Sequence, residues 1–321
     1  MAFKVVIPQP VVEEGVNFLK DKGCDVVIGT GNTDPEYLKN LISDADALIV
    51  RTANYSADVL SAAKKLKAIG RFGVGLDNID LDYCKKHNIM VSIAPGANSN
   101  SVAEHTIMFI LMLARKAVIQ DENTRNGNYE ARNTIPGNDV FGKTLTVLGL
   151  GRIGRMVAQK AHDGLGMNIV AYDPFVSQDN APDYVTMVTD FYEAVGMGDF
   201  VSIHMPATKE FENIINMKFF EAMKPTAYII NNARGSLQDE DDLVYALKNH
   251  IIAGAALDVS KDEPCVITDE LWSIRDNLIV SPHNAGLTVE TKIAMAMLAA
   301  EGAWDALNGK LPKYPAPGFG K

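Results

Sequence analysis

Cysteine is scarce. Three thiols in 321 residues, Cys24, Cys84 and Cys265, stand far apart with no CxxC spacing. Neither a disulfide framework nor a zinc site is indicated, no metal is expected, and all three should be reduced thiols. Excess positive charge is also missing: 30 Lys and Arg against 40 Asp and Glu leave a formal charge of -10. Such a chain carries no electrostatic footprint for nucleic acid or an anionic membrane. Long apolar runs are absent as well. Ile107 to Ala114 is too short to span a bilayer, and no basic stretch followed by an apolar core and a small-residue cleavage site opens the chain. The expectation is a cytoplasmic protein with neither nucleic acid nor membrane as partner. Internal repeats and low-complexity segments are lacking too. What is there is an ordinary globular composition, 47% apolar and 22% charged, in a chain long enough for two domains with sizeable cores.

The most informative stretch is 145 to 173, LTVLGLGRIGRMVAQKAHDGLGMNIVAYD. Leu145, Val147 and Leu148 form a short apolar run. Gly149, Leu150, Gly151, Arg152, Ile153 and Gly154 supply GxGxxG spacing, and Met156, Val157 and Ala161 then recur at helical period. A glycine turn between a strand and a helix is the context that dinucleotide binding requires. The first glycine permits the tight turn, the second lets backbone amides approach a pyrophosphate, and the third brings helix and strand together. The anion would rest on the positive end of the helix. Nineteen residues beyond Gly154, a second strand ends at Asp173, between Tyr172 and Pro174. A carboxylate there can accept both ribose hydroxyls and would repel a 2'-phosphate, so NAD is expected rather than NADP.

Short β-rich runs at 3–7, 25–28, 47–50, 68–72 and 90–93 alternate with helical patterns at 13–19, 35–42, 57–64 and 80–86. Alternation of this kind predicts a parallel sheet covered on both faces. After Asp173 it resumes with strands at 200–204, 227–231, 252–257 and 277–280. The predicted class is therefore α/β, two doubly wound, Rossmann-like parallel-sheet domains with a cleft between them. Residues 1–98 with 288–321 would form the flavodoxin-like, substrate-binding domain, and 99–287 the NAD-binding domain. Hinges are expected near 98 and 287, the second at Gly286. Ser101 to Glu104 fits a capping box that starts a helix through Lys116. Residues 117–142 read as a polar, irregular arm, 287–307 as a long closing helix, and 310–321 as a loosely held tail.

In such sheets ligands gather beyond the carboxyl ends of the strands. In the first domain this singles out Arg51, Thr52, Val74, Gly75 and Gly96 to Asn98. The glycines flanking Val74 can aim consecutive N–H groups at a carboxylate, although a plain loop turn has the same spacing. In the second domain Arg234, Glu263 and His283 each follow a strand. Reduction of a 2-keto acid needs a carboxylate anchor and an acid for the developing alkoxide. Arginine, a planar and permanently charged fork, suits the keto acid. Histidine is the natural proton donor near neutral pH, and an adjacent glutamate would keep it charged. At about 4 Å and an effective permittivity near 20, the pair attracts by about 4 kcal/mol before desolvation losses. Taken singly, each of the three has an ordinary reading as a surface arginine, a turn acid or a histidine bonded to backbone; joint placement makes the case. His204, before Pro206, competes as the acid but fits a place under the cofactor better.

These residues lie in segments that resemble the D-isomer-specific 2-hydroxyacid dehydrogenases from about Ala47 to Ala300. The segments are IGRFGVGLDNID at 69 to 80, NSNSVAEHTI at 98 to 107, GKTLTVLGLGRIGR at 142 to 155, NNARGSLQDEDDL at 231 to 243, AALDVSKDEP at 255 to 264 and SPHNAG at 281 to 286. The resemblance implies that Arg234 binds and polarises the substrate, His283 is the acid/base, and Glu263 orients and charges it. It also implies that Ala233 and Asp258 hold the nicotinamide end and that Val74 and Gly75 offer amides to the carboxylate. Gln238 stands where the family usually has valine and Ser260 where it has phenylalanine, which bears on loop packing and substrate preference.

Within the family the chain is similar to a short D-3-phosphoglycerate dehydrogenase. Arg51, Arg71 and Arg132 stand where phosphate-binding members carry arginines, and no regulatory domain is expected after Leu307. The resulting expectation is a homodimer that transfers hydride between NAD(H) and a small 2-hydroxy or 2-keto acid. A glyoxylate or hydroxypyruvate reductase is the alternative enzyme, and an NAD-sensing scaffold resembling the C-terminal-binding-protein corepressors is the alternative outside enzymes.

Overall fold

Val5, Val6 and Ile7 are all buried in β1 (Lys4–Ile7), the pattern of a strand covered on both faces. The computed structural model describes residues 2–266 and 270–320. After β1 come α1 (Glu13–Asp21), β2 (Asp25–Ile28), α2 (Pro35–Ile42), β3 (Ala47–Val50), α3 (Ala57–Leu60), β4 (Ala68–Arg71), α4 (Leu81–Lys86) and β5 (Met90–Ser92). The five strands pair in parallel in the order β2-β1-β3-β4-β5, the flavodoxin-like winding. Helix starts follow local chemistry. Asp34, Ser56 and Asp80 each accept an amide of the first turn of α2, α3 and α4, and Pro35 opens α2 where its missing N–H is harmless. The helix predicted over 57–64 stops at Leu60, because the chain tightens there into i→i+3 turns at Ala62, Ala63 and Leu66.

The chain continues with α5 (Ser99–Arg115), α6 (Ala117–Arg125) and α7 (Ala131–Thr134). Two expectations are corrected here. Ser101 is not an N-cap, since α5 begins at Ser99; the supposed capping-box acid, Glu104, instead pairs with Asn100 one turn back and with Lys160. The stretch 117–142 is half helical. No residue of α6 is buried, so it lacks the apolar stripe by which a helix is read; Arg125 pairs with Asp121, and the Gln120 amide donates to the Ile135 carbonyl.

Next come β6 (Thr144–Leu148), α8 (Arg152–Leu165), β7 (Asn168–Tyr172), β8 (Val185–Met187), α9 (Phe191–Met197), β9 (Phe200–Ile203), α10 (Met217–Ala222), β10 (Tyr228–Asn231), α11 (Glu240–Lys248), β11 (Gly254–Leu257) and β12 (Leu278–Val280). All pairs are parallel, in the order β12-β11-β10-β9-β6-β7-β8. The winding reverses between β6 and β9, which places the ligand crevice of the sheet at the carboxyl ends of those two strands. The edge strand β8 was not foreseen; it is three residues long and, among the described residues, pairs only with β7.

The last helix, α12 (Val289–Leu307), rejoins the first sheet. It packs on α1 and β4 at Gly15 and Gly70, where an added Cβ would stand 2.9 Å from Ala296 Cβ and 2.1 Å from the Ala299 carbonyl oxygen. Two compact units result, Met1–Asn98 with Leu287–Lys321, and Ser99–Gly286. Among the described residues, no helix is long and apolar enough to cross a membrane.

Candidate active site

At the reversal of the larger sheet, the glycine turn has the geometry its spacing foretold. Gly149 sits at φ +96°, and an added Cβ there would lie 2.7 Å from the His204 carbonyl oxygen. At Gly154 a Cβ would meet the Gly149 carbonyl at 2.0 Å, so α8 can lie this close to β6 only without a side chain. Gly151, the residue just before α8, has open space where a Cβ would be, and no side chain caps the helix. The first-turn amides of α8 are thus left for an anion. The Asp173 carboxylate is anchored at the turn, one oxygen accepting from Leu150 N at 2.9 Å and the other from Phe175 N at 2.9 Å. Each oxygen keeps a second lone pair for a ribose hydroxyl. Arg152 and Pro174 are exposed beside this turn, Ile153 and Tyr172 half-buried. These residues fit a dinucleotide.

Across the reversal, His204 follows β9; its amide donates to the Leu148 carbonyl at 2.8 Å and its Nε2 lies 2.6 Å from Ser202 Oγ. Exposed Pro206 comes two residues later. Burial pushes the His204 imidazole down to about 4, so it is neutral at pH 7. Because its folded pKa lies below the ordinary 6.5, the unfolded chain takes up the proton first. The stability tied to neutral His204 is whole above that value and is lost as pH falls toward 4. Between pH 7 and pH 5 the fold should lose about 2 kcal/mol through this ring. Urea unfolding at the two pH values checks this: His204→Gln should remove that part of the slope, and equal slopes for variant and wild type would contradict it.

Farther along the same edge, the structure brings two of the three catalytic candidates together. Glu263 Oε2 lies 2.6 Å from His283 Nδ1, with the side chains 39% and 48% exposed, open enough to meet a substrate. Burial pushes the Glu263 carboxyl up, but the His283 hydrogen bond and charge, the Ser260 amide and the Arg234 charge outweigh it and hold the group below its ordinary value. Arg234 is therefore near enough to act on Glu263 electrostatically; its Nη1 donates to the Ala233 carbonyl at 2.8 Å. The turn carrying both residues is fixed by Asn231, whose side chain accepts from Ala233 N and donates to the Arg234 carbonyl.

Asp258, which the resemblance sets at the nicotinamide end, also anchors a loop. It is 1% exposed, and its carboxylate accepts from the Ser281 hydroxyl, from Asn284 N at 2.8 Å and from Ala285 N at 2.9 Å. Burial turns this carboxylate onto the loop that carries His283. Gly286 closes that loop at the end of the unit.

In the smaller unit, the candidates after β3 and β4 are neighbours by register, Val50 opposite Arg71. Arg51 Nη1 donates to the Pro10 carbonyl and its guanidinium lies 5.4 Å from the Phe72 ring centre. Arg71 folds back on its own loop, Nε donating to the Gly75 carbonyl and Nη1 to the Phe72 carbonyl, both at 2.7 Å. Exposed Val74 and half-buried Gly75 ride on the loop so braced. Arg132 belongs to the larger unit, exposed on α7 with its guanidinium 4.6 Å from the Tyr129 ring centre. Sequence reasoning missed Gln9 and Asn78. Gln9 accepts from Thr52 N and Ala53 N and donates to Thr52 Oγ1, while Asn78 donates to the Arg51 and Ala53 carbonyls, so both fix the loop that bears Arg51 and Thr52. The signal for Gln9 was its position just past β1.

Sheet order, glycine turn and terminal acid define the larger unit as a Rossmann-type dinucleotide-binding domain. Residues 107–285 match the family description D-isomer specific 2-hydroxyacid dehydrogenase, NAD binding domain. D-3-phosphoglycerate dehydrogenase of Archaeoglobus fulgidus is 38% identical over 93% of this chain and 56% of that protein. Glyoxylate reductase of Thermofilum pendens is 37% identical over 96% of this chain and 93% of that protein. A crystal structure of a Thermus thermophilus protein superposes with a TM-score of 0.91 at 30% identity, covering 98% of this chain and 99% of that one. The chain belongs to the D-isomer-specific 2-hydroxyacid dehydrogenases, and its larger unit contains the NAD-binding domain of that family. It spans between 49% and 61% of the length of three phosphoglycerate dehydrogenases that it matches.

Proposed function

We propose that the chain is an NAD-dependent oxidoreductase, a cytoplasmic homodimer that interconverts a 2-keto acid and its D-2-hydroxy acid. The 2.6 Å contact between Glu263 and His283, under the charge of Arg234, carries this reading. In it, residues 99–287 hold the cofactor and residues 1–98 with 288–321 the rest of the substrate. NAD, when bound, supplies or accepts the hydride. Arg234 anchors the carboxylate and polarises the keto oxygen through its planar fork. His283 Nδ1 is bonded to Glu263, so Nε2 hands the proton to the oxygen as C2 gains hydride. Glu263, ionised through the working range, holds the ring in place and offsets the charge of its protonated form. In oxidation each step reverses, His283 taking the hydroxyl proton.

The substrate pair we favour is 3-phosphohydroxypyruvate and 3-phosphoglycerate, because Arg51 and Arg71 both lie at the carboxyl ends of the adjacent strands β3 and β4, where ligands gather. A second reading, glyoxylate or hydroxypyruvate reduction, is favoured by the engagement of both guanidinia with carbonyls of their own unit. Rates with NADH on hydroxypyruvate and on its 3-phosphate separate the two. The expected result is a kcat/KM at least about tenfold higher for the phosphorylated acid, and equal or reversed values would move the assignment to the unphosphorylated acids.

A further inference from the structure

Two consecutive polar residues of α5, which the mechanism above does not use, reach the loops that carry both of its main actors. His105 Nε2 lies 3.1 Å from Ser281 Oγ and 3.9 Å from Asp258 Oδ1, with its ring edge-on to Phe109 at 4.5 Å. The Ser281 hydroxyl donates to Asp258, so its oxygen accepts and His105 must donate from Nε2. Burial pushes the His105 imidazole down against the opposing charge of Asp258. The same Asp258 carboxylate holds the amides of Asn284 and Ala285, the two residues after His283. His283 itself sits at φ +51°, a left-handed conformation that a non-glycine residue keeps only when its neighbours are pinned.

The next residue, Thr106, is fully buried. Its Oγ1 donates to the Val102 carbonyl and accepts from Asn232 Nδ2 at 2.9 Å. Among the described residues Asn232 Oδ1 is buried without a partner, so Thr106 is the one polar tether of that side chain. Asn232 lies two residues before Arg234. Successive residues of a helix point about 100° apart, which lets one turn of α5 address two neighbouring strand ends at once.

We propose that His105 and Thr106 are positioning residues. His105 sets the His283 loop through Ser281 and Asp258, and Thr106 sets the Arg234 turn through Asn232. The inference rests on the roles given to His283 and Arg234 above, and its two halves differ in what they change. His105→Ala should lower kcat at least about tenfold and leave KM for the keto acid within about twofold, since the loop of the proton donor is loosened. Thr106→Val, nearly isosteric, should raise KM about tenfold with little change in kcat, since the anchor is displaced. His105→Gln and Thr106→Ser, which retain a side-chain N–H donor and a hydroxyl respectively, should recover most of each loss.

The test is steady-state kinetics on these four variants with NADH, together with the histidine ring NMR signals of the NADH-bound protein. The His283 resonance, assigned by its loss in His283→Ala, should move in His105→Ala and return in His105→Gln. A His105→Ala protein with normal kcat and an unmoved His283 signal overturns the proposal, as does the same kcat and KM pattern in both series. A wild-type protein inactive on every keto acid would sink the functional reading alone; the movement of the His283 signal then decides this one.

Discussion

His283→Ala is expected to lower turnover by about three orders of magnitude while leaving NADH affinity within about twofold. The alkoxide that forms as hydride reaches C2 is strongly basic, and without an acid in hydrogen-bond reach water must supply the proton from a poorly oriented position. In the proposed mechanism the nucleotide is held elsewhere, by the amides at the start of α8 and by Asp173, so its binding should not register the change. Glu263→Gln should sit between wild type and His283→Ala, because an amide can still accept from Nδ1 but no longer offsets the ring's charge. Stopped-flow NADH oxidation and fluorescence titration of NADH measure the two quantities separately. Wild-type turnover in His283→Ala would remove the imidazole from the mechanism.

Arg234→Lys keeps the charge and removes the fork, and should cut kcat/KM by about a hundredfold or more, mostly through KM. A guanidinium can meet a carboxylate with two parallel N–H bonds and still face the adjacent carbonyl; an ammonium is a point charge without that geometry. The retained charge still favours ionised Glu263, so the pH dependence of kcat should change less than KM does. Kinetics indistinguishable from wild type would refute the role of the planar group, and a loss of NADH binding would mean that Arg234 acts on the nucleotide instead.

Much of this was legible before any coordinates, for identifiable reasons. The strand β3 is buried along its whole length, so it appears as an unbroken apolar run between Asp46 and Arg51. The glycine turn reads clearly because three separate steric demands, at φ, at the nucleotide face and at the helix contact, fall on fixed spacings. Failures came where sequence carries no burial signal. The helix α6 has no buried face, and β8 is too short to show a period. At the start of α5, Ser101 and Glu104 have capping-box spacing, but Asn100 and Lys160 engage that glutamate instead.

For the site, the residues proposed to touch substrate stand after strands and could be picked by position and chemistry. Those that hold them could not. The resemblance gives Asp258 a place at the nicotinamide end, but its grip on the 281–285 loop follows from how β11 and β12 pair. Gln9 and Asn78 are likewise distant in sequence from residues 51–53; Gln9 reaches them because β1 and β3 are neighbours, and Asn78 because its loop follows β4, the other neighbour of β3. Positions of this kind depend on tertiary adjacency, which no local spacing encodes.

The most direct measurement is the transfer itself. Protein, NADH deuterated at the transferring carbon and a panel of 2-keto acids should yield a D-2-hydroxy acid with deuterium at C2, detected by NMR and chiral chromatography. Tight NADH binding with no labelled product from any keto acid would contradict the assignment and leave a nucleotide-sensing scaffold in its place.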